Sequence, residues 1–485
     1  MRLSSLVADA PMDDPEITGV TADSRKVRPG FLFAALPGST VDGRKFIPVA
    51  LEAGAAAVLA PDDVSGLGVP VAHAADLRRA YALAAAAFWG AQPATCVAVT
   101  GTNGKTSVAT FCRQIFARLG HTSASMGTLG VTVSTSGKPD RQITPPGLTT
   151  PDAADVAELL ARLASEGVTH LALEASSHGV DQRRLDGVRL TAAGFLNLTQ
   201  DHLDYHGTMG AYRAAKLRLF EALLPRGATA VLNADSDQYG AFAAAAAVAG
   251  QPVLSTGSAG EGIRVVDRVL AADGQRLTLA HAGTTTTVHL PLAGVFQADN
   301  ALVAAGLCIA AGGAPAAVFA ALEHLKGAPG RLQRVGARAG GGEAYVDYAH
   351  TPDGLETVLK ALRPHTEGRL LVVFGAGGDR DRTKRPLMGE IAARLADVAI
   401  ITDDNPRSEA PAAIRAEVQT GAPGALNIGD RREAIRAGVA MLTPGDVLVV
   451  AGKGHEQGQT IAGVTHPFDD VVETATALGL EAAHV

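Results

Sequence analysis

A chain of 485 residues, 47% hydrophobic and 19% charged, is long enough for about three domains of roughly 150 residues each and apolar enough to bury a core in each. Its net charge of −7 argues against a broad nucleic-acid surface, because neutralising phosphates needs a cationic face. Three cysteines, Cys96, Cys112 and Cys308, form no CxxC pair and no zinc spacing; they read as buried free thiols of a reducing compartment and, with no signal-like N-terminus, point to the cytoplasm.

Residues 1–88 read as a small α/β unit. A polar loop, Thr21 to Gly30, precedes the apolar run Phe31 to Leu36, and "FIPVALEAGAAAVLA" predicts a helix and then a strand. "LRRAYALAAAAFWGAQP" predicts a helix stopped by Gly90 and Pro93. A second unit, 89–328, opens on the strand "TCVAVT". It continues through a helix starting at Pro151 and Asp152 and the strand Thr169 to Ser177. Strands alternating with helices imply a mostly parallel sheet. "RVVDRVLAADGQRLTLAHAGTTTTVHLPL" differs, and reads as an antiparallel insertion. The uncharged run Ala301 to Leu322 is interrupted by "GGAP", so two short buried helices are expected there rather than a membrane span. A third unit, 329–485, carries the strands "LLVVFGAGG", "DVAIITDDN" and "DVLVVAGKG", each running into a polar or glycine-rich loop. Ligands of open α/β sheets sit at such carboxyl ends.

The stretch "VAVTGTNGKTS" has the context of a phosphate loop: a strand before it and the helical "VATFCRQIFARLG" after it. Gly101 and Gly104 let backbone N–H groups turn inward, and the helix start adds a positive dipole end. Lys105 can reach outer phosphates, and Thr106 can offer its hydroxyl to magnesium. The spacing between the two glycines is shorter than in GxxxxGK[ST]. Alone, the loop says nucleoside triphosphate and leaves kinases, motors, switches and ligases open. Glu174 ends a strand and is placed to hold magnesium or its water, although a strand-end acid can equally be solvated. Asp201, His202, Asp204 and His206 crowd into six residues. Lys216 stands among apolar residues of a helix; a snorkelling surface lysine is the ordinary reading of that pattern, and spacing does not reverse it.

The strings "TGTNGKTS", "LEASSHG", "NLTQDHLDYHGTMGAYRAAKLRLF", "VLNADSD", "GVFQADNALVA", "APGRLQRV", "DYAHTPD", "FGAGGDRDRTKRPLM", "DDNPR" and "AGKGHE" occur in this order. Together they closely resemble the Mur ligases of peptidoglycan synthesis, over about Asp23 to Glu456. Within that family the resemblance is to the member that adds 2,6-diaminopimelate, meso by expectation, to the D-glutamate of UDP-N-acetylmuramoyl-L-alanyl-D-glutamate. It implies an α/β protein of three domains: UDP-binding (1–88), a central ATPase with a parallel sheet (89–328), and a Rossmann-like domain receiving the amino acid (329–485). It implies an ATP-dependent ligase working through an acyl phosphate, with two magnesium ions and a CO2-derived carbamate on Lys216.

Carried over by motif, the resemblance implies that Lys105, Lys216, Glu174 and His202 are catalytic, with Thr106, Glu174, His202 and carbamylated Lys216 holding metal. ATP would meet Gly101, Thr102, Asn103, Gly104, Lys105, Thr106, Ser107, Asn300, Arg331 and Asp347. Ala22 and Ser24 would serve the uridine. Thr149, Thr150, Ser176, Gln182 and Arg184 would contact the muramoyl-dipeptide. Arg380, Asp404, Asn405, Pro406, Arg407, Gly452 and Glu456 would hold diaminopimelate. The arginines suit carboxylate, with paired N–H donors, and Glu456 suits an ammonium. Gln297, Ala376 and Leu148 depart from the family's frequent residues without removing a charge the chemistry needs. The expected partners are these small molecules alone, with no nucleic acid and no membrane insertion, and the protein is expected to be a monomer. Folylpolyglutamate synthetase and the lysine-adding Mur enzyme are the nearest rivals; "DNPR" and "ADSRK" speak against both.

Overall fold

The structure, a computed structural model, describes residues 1–8, 12–38, 41–145, 147–271 and 274–480. The chain divides into two compact units: Met1–Arg264 with Leu302–Val318, and Val265–Ala301 with Phe319–Val485.

The first unit begins with a parallel sheet of short strands, Gly19–Thr21, Phe31–Ala34, Ala57–Leu59 and Val71–Ala72, in that spatial order. The helix Leu77–Trp89 covers it. Asp76 caps that helix by accepting from the Arg79 N–H, and Gly90 ends it at φ +70°, a conformation glycine takes without a Cβ penalty. Leu32, Leu59, Leu77 and Tyr81 pack there with Ala153, Ala154 and Ala157 of the helix Ala153–Ser165.

The same unit holds a larger sheet, ordered Val253–Gly257, Thr229–Asn233, Ala192–Phe195, Thr95–Thr100, His170–Glu174, Ser123–Gly127, Gly130–Ser134 and Arg141–Thr144. The first six run parallel, and the last two are added antiparallel. Thr95–Thr100 lies between two parallel neighbours, with Val97 opposite both Ala192 and Ala172. Such a strand must be apolar on both faces, and Cys96, Val97, Ala98 and Val99 are all buried. The strand expected over Thr169–Ser177 is shorter, His170–Glu174, because Ser176 accepts the Gly179 N–H at 3.0 Å and caps the helix Ser177–Asp181.

The second unit contains the expected antiparallel hairpin, Gly274–His281 with Thr284–Leu290. It also contains a six-stranded sheet in the order Gln333–Ala337, Glu343–Asp347, Val447–Ala451, Leu370–Phe374, Val398–Ile401, Leu426–Asn427. All of its pairings are parallel except the first. Leu370, Val372 and Phe374 join one core while Leu371 and Val373 join another, so alternation along one strand fills both faces. A two-stranded hairpin, Gly458–Ile461 with Val464–Pro467, follows the last long strand.

The uncharged run falls in two helices, Val295–Ala310 and Pro315–Leu322. Among the described residues no helix is long and apolar enough to cross a membrane. Cys96, Cys112 and Cys308 are free and buried.

Candidate active site

The strand Thr95–Thr100 delivers the chain into the phosphate loop, and Gly104, at φ +91°, starts the helix Lys105–Arg118 without a side-chain cap. A helix N-terminus without a side-chain cap is the kind of place where an anion binds. The exit of the neighbouring strand holds the loop in shape. The Asn197 carbonyl accepts from the Thr102 N–H (3.0 Å), and its side chain accepts from the Asn103 N–H (3.0 Å) and donates to the Asn103 carbonyl (3.2 Å). Thr102 and Thr199 exchange a second pair of bonds, at 3.1 and 3.0 Å. Thr106 and Ser107 are buried at the helix start. Lys105 folds back, its ammonium donating to the carbonyls of Gly101 (2.9 Å) and Thr102 (2.8 Å).

Lys216 overturns the snorkelling expectation. It is only 1% exposed, and its Nζ donates to the Gly101 carbonyl at 2.8 Å, the same oxygen that Lys105 uses. Burial, and then the Lys105 charge, push its pKa well below the usual lysine value; Asp201 opposes this. Tyr212, one helical turn earlier, lies with its ring 4.5 Å from the ammonium and its hydroxyl 3.2 Å from Thr102 Oγ1. A buried amine inclined to lose its proton, beside a cation, is what a carbamate requires: a neutral nitrogen to form on and a positive neighbour once formed. The residues therefore fit that modification.

Glu174 is buried. Its Oε1 accepts the Thr128 N–H at 2.9 Å and its Oε2 the Thr128 hydroxyl at 3.4 Å. Gly127 makes the room, since a Cβ there would lie 2.0 Å from Glu174 Oε1. The oxygens of Thr106 and Glu174 are the hard donors magnesium prefers. His202, at φ +52°, is half-exposed, 3.4 Å from Asp201 and edge-on to the rings of His178 and Tyr212. Asp201, His202 and Asp204 of the crowded loop are exposed, and no group of three or more His, Cys, Asp or Glu suited to a metal occurs among the described residues.

The five residues assigned to the muramoyl-dipeptide form one continuous network in the first unit. Thr149 meets Thr128 (2.9 Å), which touches Glu174. Thr150 donates to the Glu174 carbonyl (3.0 Å), meets the Ser176 hydroxyl (2.9 Å), and accepts at its own carbonyl from Arg184 (2.6 Å). Arg184 also donates to Gln182 (2.7 Å). Ala22 and Ser24 line a separate cleft of about 1200 Å³ with Phe31, Phe46, Phe88 and Trp89. Behind it, the Ala22 N–H donates to the Tyr81 hydroxyl (3.2 Å), which donates to Asp152 (2.5 Å).

In the second unit Asn300 donates to Gln297 (3.1 Å), and Gln297 donates to the Arg331 carbonyl (3.1 Å); the departure at Gln297 thus links two assigned residues. Arg331 lies over the Tyr348 ring. Asp347 accepts the N–H groups of Leu332 (2.5 Å) and Ala349 (2.8 Å), and burial pushes its carboxyl up to about 6.

The residues assigned to the acceptor gather at the strand ends of the six-stranded sheet. Arg407 holds φ +54°, and its backbone is clamped by the Thr460 carbonyl (3.0 Å) and the Ala462 N–H (2.7 Å). Its guanidinium donates to the Gly378 carbonyl (2.8 Å) across Gly377, where a Cβ would lie 2.9 Å away. Arg380 is exposed beside the same glycine. The Pro406 carbonyl packs on Gly378. Gly452, at φ +121°, faces Asp404 Oδ2, which a Cβ would crowd at 2.6 Å. Asn405 donates to Glu456 Oε2 at 2.8 Å. Beneath them lies Lys453, fully buried, donating to Asn405 and Glu456. The sequence does not single out Lys453, Tyr212 or Asn197. Lys453 stands inside "AGKGHE", three residues before Glu456, and Tyr212 four residues before Lys216, so a local signal existed for both, but their other partners, Asn405 and Thr102, are too distant along the chain for spacing to name.

Residues 16–91, 99–308 and 330–454 match, in turn, the Mur ligase family catalytic domain, the Mur ligase middle domain and the Mur ligase glutamate ligase domain. The UDP-N-acetylmuramoyl-L-alanyl-D-glutamate--2,6-diaminopimelate ligase of Caulobacter vibrioides is 69% identical over 98% of both chains. The protein of the same name from Brucella melitensis is 54% identical over 99% of this chain and 97% of its own. A solved structure of a ligase of that name superposes with a TM-score of 0.73 at 36% identity, covering 96% of this chain and 95% of that one. MurF from Acinetobacter baumannii, 20% identical with a TM-score of 0.60 over 91% of each chain, shares the fold. By its sequence and its architecture, this chain belongs to the Mur ligase family.

Proposed function

We propose that this protein is the ATP-dependent ligase that joins meso-2,6-diaminopimelate to the γ-carboxyl of D-glutamate in UDP-N-acetylmuramoyl-L-alanyl-D-glutamate, a cytoplasmic step of peptidoglycan synthesis carried out by a monomer. Neither nucleic acid nor membrane insertion enters the reaction. The observation that carries the reading is the enclosed Lys216 amine, meeting Lys105 on the Gly101 carbonyl of a phosphate loop. The named relatives support the substrates. The division of the chain near residues 88 and 328 belongs to the same proposal: UDP-sugar first, ATP second, amino acid third.

A carboxylate is a poor electrophile. Transfer of the terminal phosphoryl group of ATP to the D-glutamyl γ-carboxylate gives an acyl phosphate and ADP. The amine of diaminopimelate then attacks the carbonyl carbon, the C–N bond forms, and inorganic phosphate leaves. Positioning and charge compensation dominate such transfers. Lys105, now held by the loop's own carbonyls, is placed to turn to the phosphates, while the helix N–H groups behind Gly104 accept negative charge. The Thr150–Ser176–Arg184–Gln182 network presents the dipeptide, and Asn300, Arg331 and Asp347 take the adenosine. Magnesium supplies neutralisation of the phosphates when bound, and Thr106, Glu174, His202 and Lys216 as its carbamate are the residues that would hold two ions. Arg380 and Arg407 grip the distal carboxylate of the acceptor, with Asp404, Asn405, Pro406 and Gly452 shaping the pocket and Glu456 receiving the distal ammonium. Lysine lacks that carboxylate, so the charge-assisted hydrogen bonds that the partly buried Arg407 would make to it, worth about 1.5–3 kcal/mol, would be lost.

The test is phosphate release with the UDP-muramoyl-dipeptide and ATP present, across a panel of amino acids. Diaminopimelate is expected to drive turnover at least tenfold better than lysine. Equal use of both would overturn the acceptor assignment.

A further inference from the structure

Glu456 is 35% exposed at its side chain, yet both of its protein donors come from the buried side. Asn405 Nδ2 and Lys453 Nζ reach the same oxygen, Oε2, at 2.8 and 3.2 Å. Lys453 is fully buried, and its ammonium also donates to Asn405 Oδ1 at 3.0 Å, an oxygen that accepts the Thr460 N–H at 2.9 Å as well. A buried ammonium is costly unless paired and hydrogen-bonded. The nearby Arg431–Asp470 pair, also fully buried, is joined at 2.6 Å, and Arg431 donates onward to the Ala451 carbonyl; Asp470 acts on Lys453 through space, whereas Glu456 takes a hydrogen bond from it. Glu456 is the carboxylate that Lys453 touches, at 3.2 Å, and the buried cation cannot leave for water as a surface lysine does.

Resting on the ligase reading above, we propose that Lys453 is a positioning residue for acceptor selection: it fixes Glu456 by one oxygen and so aims the other, Oε1, at the distal ammonium of the incoming diamino acid. Asn405 transmits the same constraint to the hairpin Gly458–Ile461 with Val464–Pro467, whose Thr460 carbonyl holds the Arg407 backbone. One buried cation thereby sets the spacing between the ammonium-binding carboxylate and a carboxylate-binding arginine. A lysine that merely filled the core would set no such spacing.

The experiment compares diaminopimelate with 2-aminopimelate, which keeps the reacting amine and the distal carboxylate but lacks the distal amine. Kinetics are measured in the full-length protein and in Lys453→Met, with Lys453→Gln as a variant that keeps a donor. In Lys453→Met the KM for diaminopimelate is expected to rise about 10- to 100-fold, the range for hydrogen bonds to charged groups, while the KM for ATP moves less than about threefold. The preference for diaminopimelate over 2-aminopimelate should collapse toward one, with partial recovery in Lys453→Gln. Adding Lys453→Met to Glu456→Gln should cost little more than Glu456→Gln alone. An unchanged preference, with only a lower melting temperature, would overturn the proposal; if the Met variant does not fold, Lys453→Gln reads the same ratio. Absence of diaminopimelate-dependent phosphate release in the unmodified protein would overturn the ligase reading and this proposal together. A normal parent with an unchanged variant ratio overturns this proposal alone.

Discussion

At Lys216 an ammonium gives up water for one backbone carbonyl and a tyrosine ring, with a second lysine at the same oxygen. Desolvation of a charge on that scale has to be offset by something the site does. Lys216→Ala is therefore expected to abolish ligation, and added bicarbonate is expected not to restore it; near wild-type turnover would exclude the carbamate role. Asp347 offers a pH test on the same scale. Its folded carboxyl is raised from 3.8 to about 6 by burial, so between those values the native state binds more protons than the unfolded one, and stability falls as pH rises through the window. Asn at this position carries no proton. The stability of Asp347→Asn relative to wild type should improve by about 2 kcal/mol from pH 4 to pH 6 in denaturant titrations. A flat difference would mean that the carboxyl is not raised. Lys105, Thr106 and Glu174 are legible as single residues because a glycine turn or a strand end announces them. Lys216 is not, since its text fits a surface helix equally well and only the resemblance argued otherwise.

Elements were legible where a period or a cap is strong. Gly90 ends its helix as expected, with Asp76 capping the other end, and the continuous apolar run Leu370–Phe374 fills both faces of its sheet. Strand ends were less so: a serine cap three residues ahead of Gly179 takes over where the apolar text continues. What sequence cannot express is how closely one element approaches another. The strand Ser123–Gly127 lies beside His170–Glu174, and the Glu174 carboxylate occupies the volume that a side chain at Gly127 would need. Gly127→Ala should therefore displace Glu174 and lower kcat by a factor of about 100 or more, comparable to removing one preorganised electrostatic contact. Stability should fall by about 1–3 kcal/mol from overpacking. Retained kcat in a folded Gly127→Ala protein would mean that Glu174 need not hold this position.

For the whole molecule, the chain order does not follow the compact units. Cys96, Cys112 and Cys308 all lie in the first unit, although Cys308 is separated from the other two by the excursion Val265–Ala301. Cys112 and Cys308 pack together, the Cys112 thiol 3.7 Å from the Ala304 carbonyl. Thiol labelling along a denaturant gradient should find all three unreactive in the native protein and exposed in one transition. Earlier exposure of Cys308 alone would show that Leu302–Val318 opens independently. The central unit read from the sequence, 89–328, already groups Cys308 with Cys96 and Cys112; what linear text does not express is that Val265–Ala301, between them, belongs to the other compact unit before the chain returns to the first.

That return governs how the protein is made. Val303 and Leu307 come within 3.1 and 3.2 Å of where a side chain at Gly194 would stand, so they cover the strand Ala192–Phe195. A ribosome that has released residue 264 has therefore finished the six parallel strands between Thr95 and Gly257 but not the helix that covers them, and must still translate the whole excursion before that helix emerges. Throughout that interval the nascent chain carries an uncovered apolar sheet face, which makes this the stage of biosynthesis at which chaperone capture or aggregation competes most directly with completion.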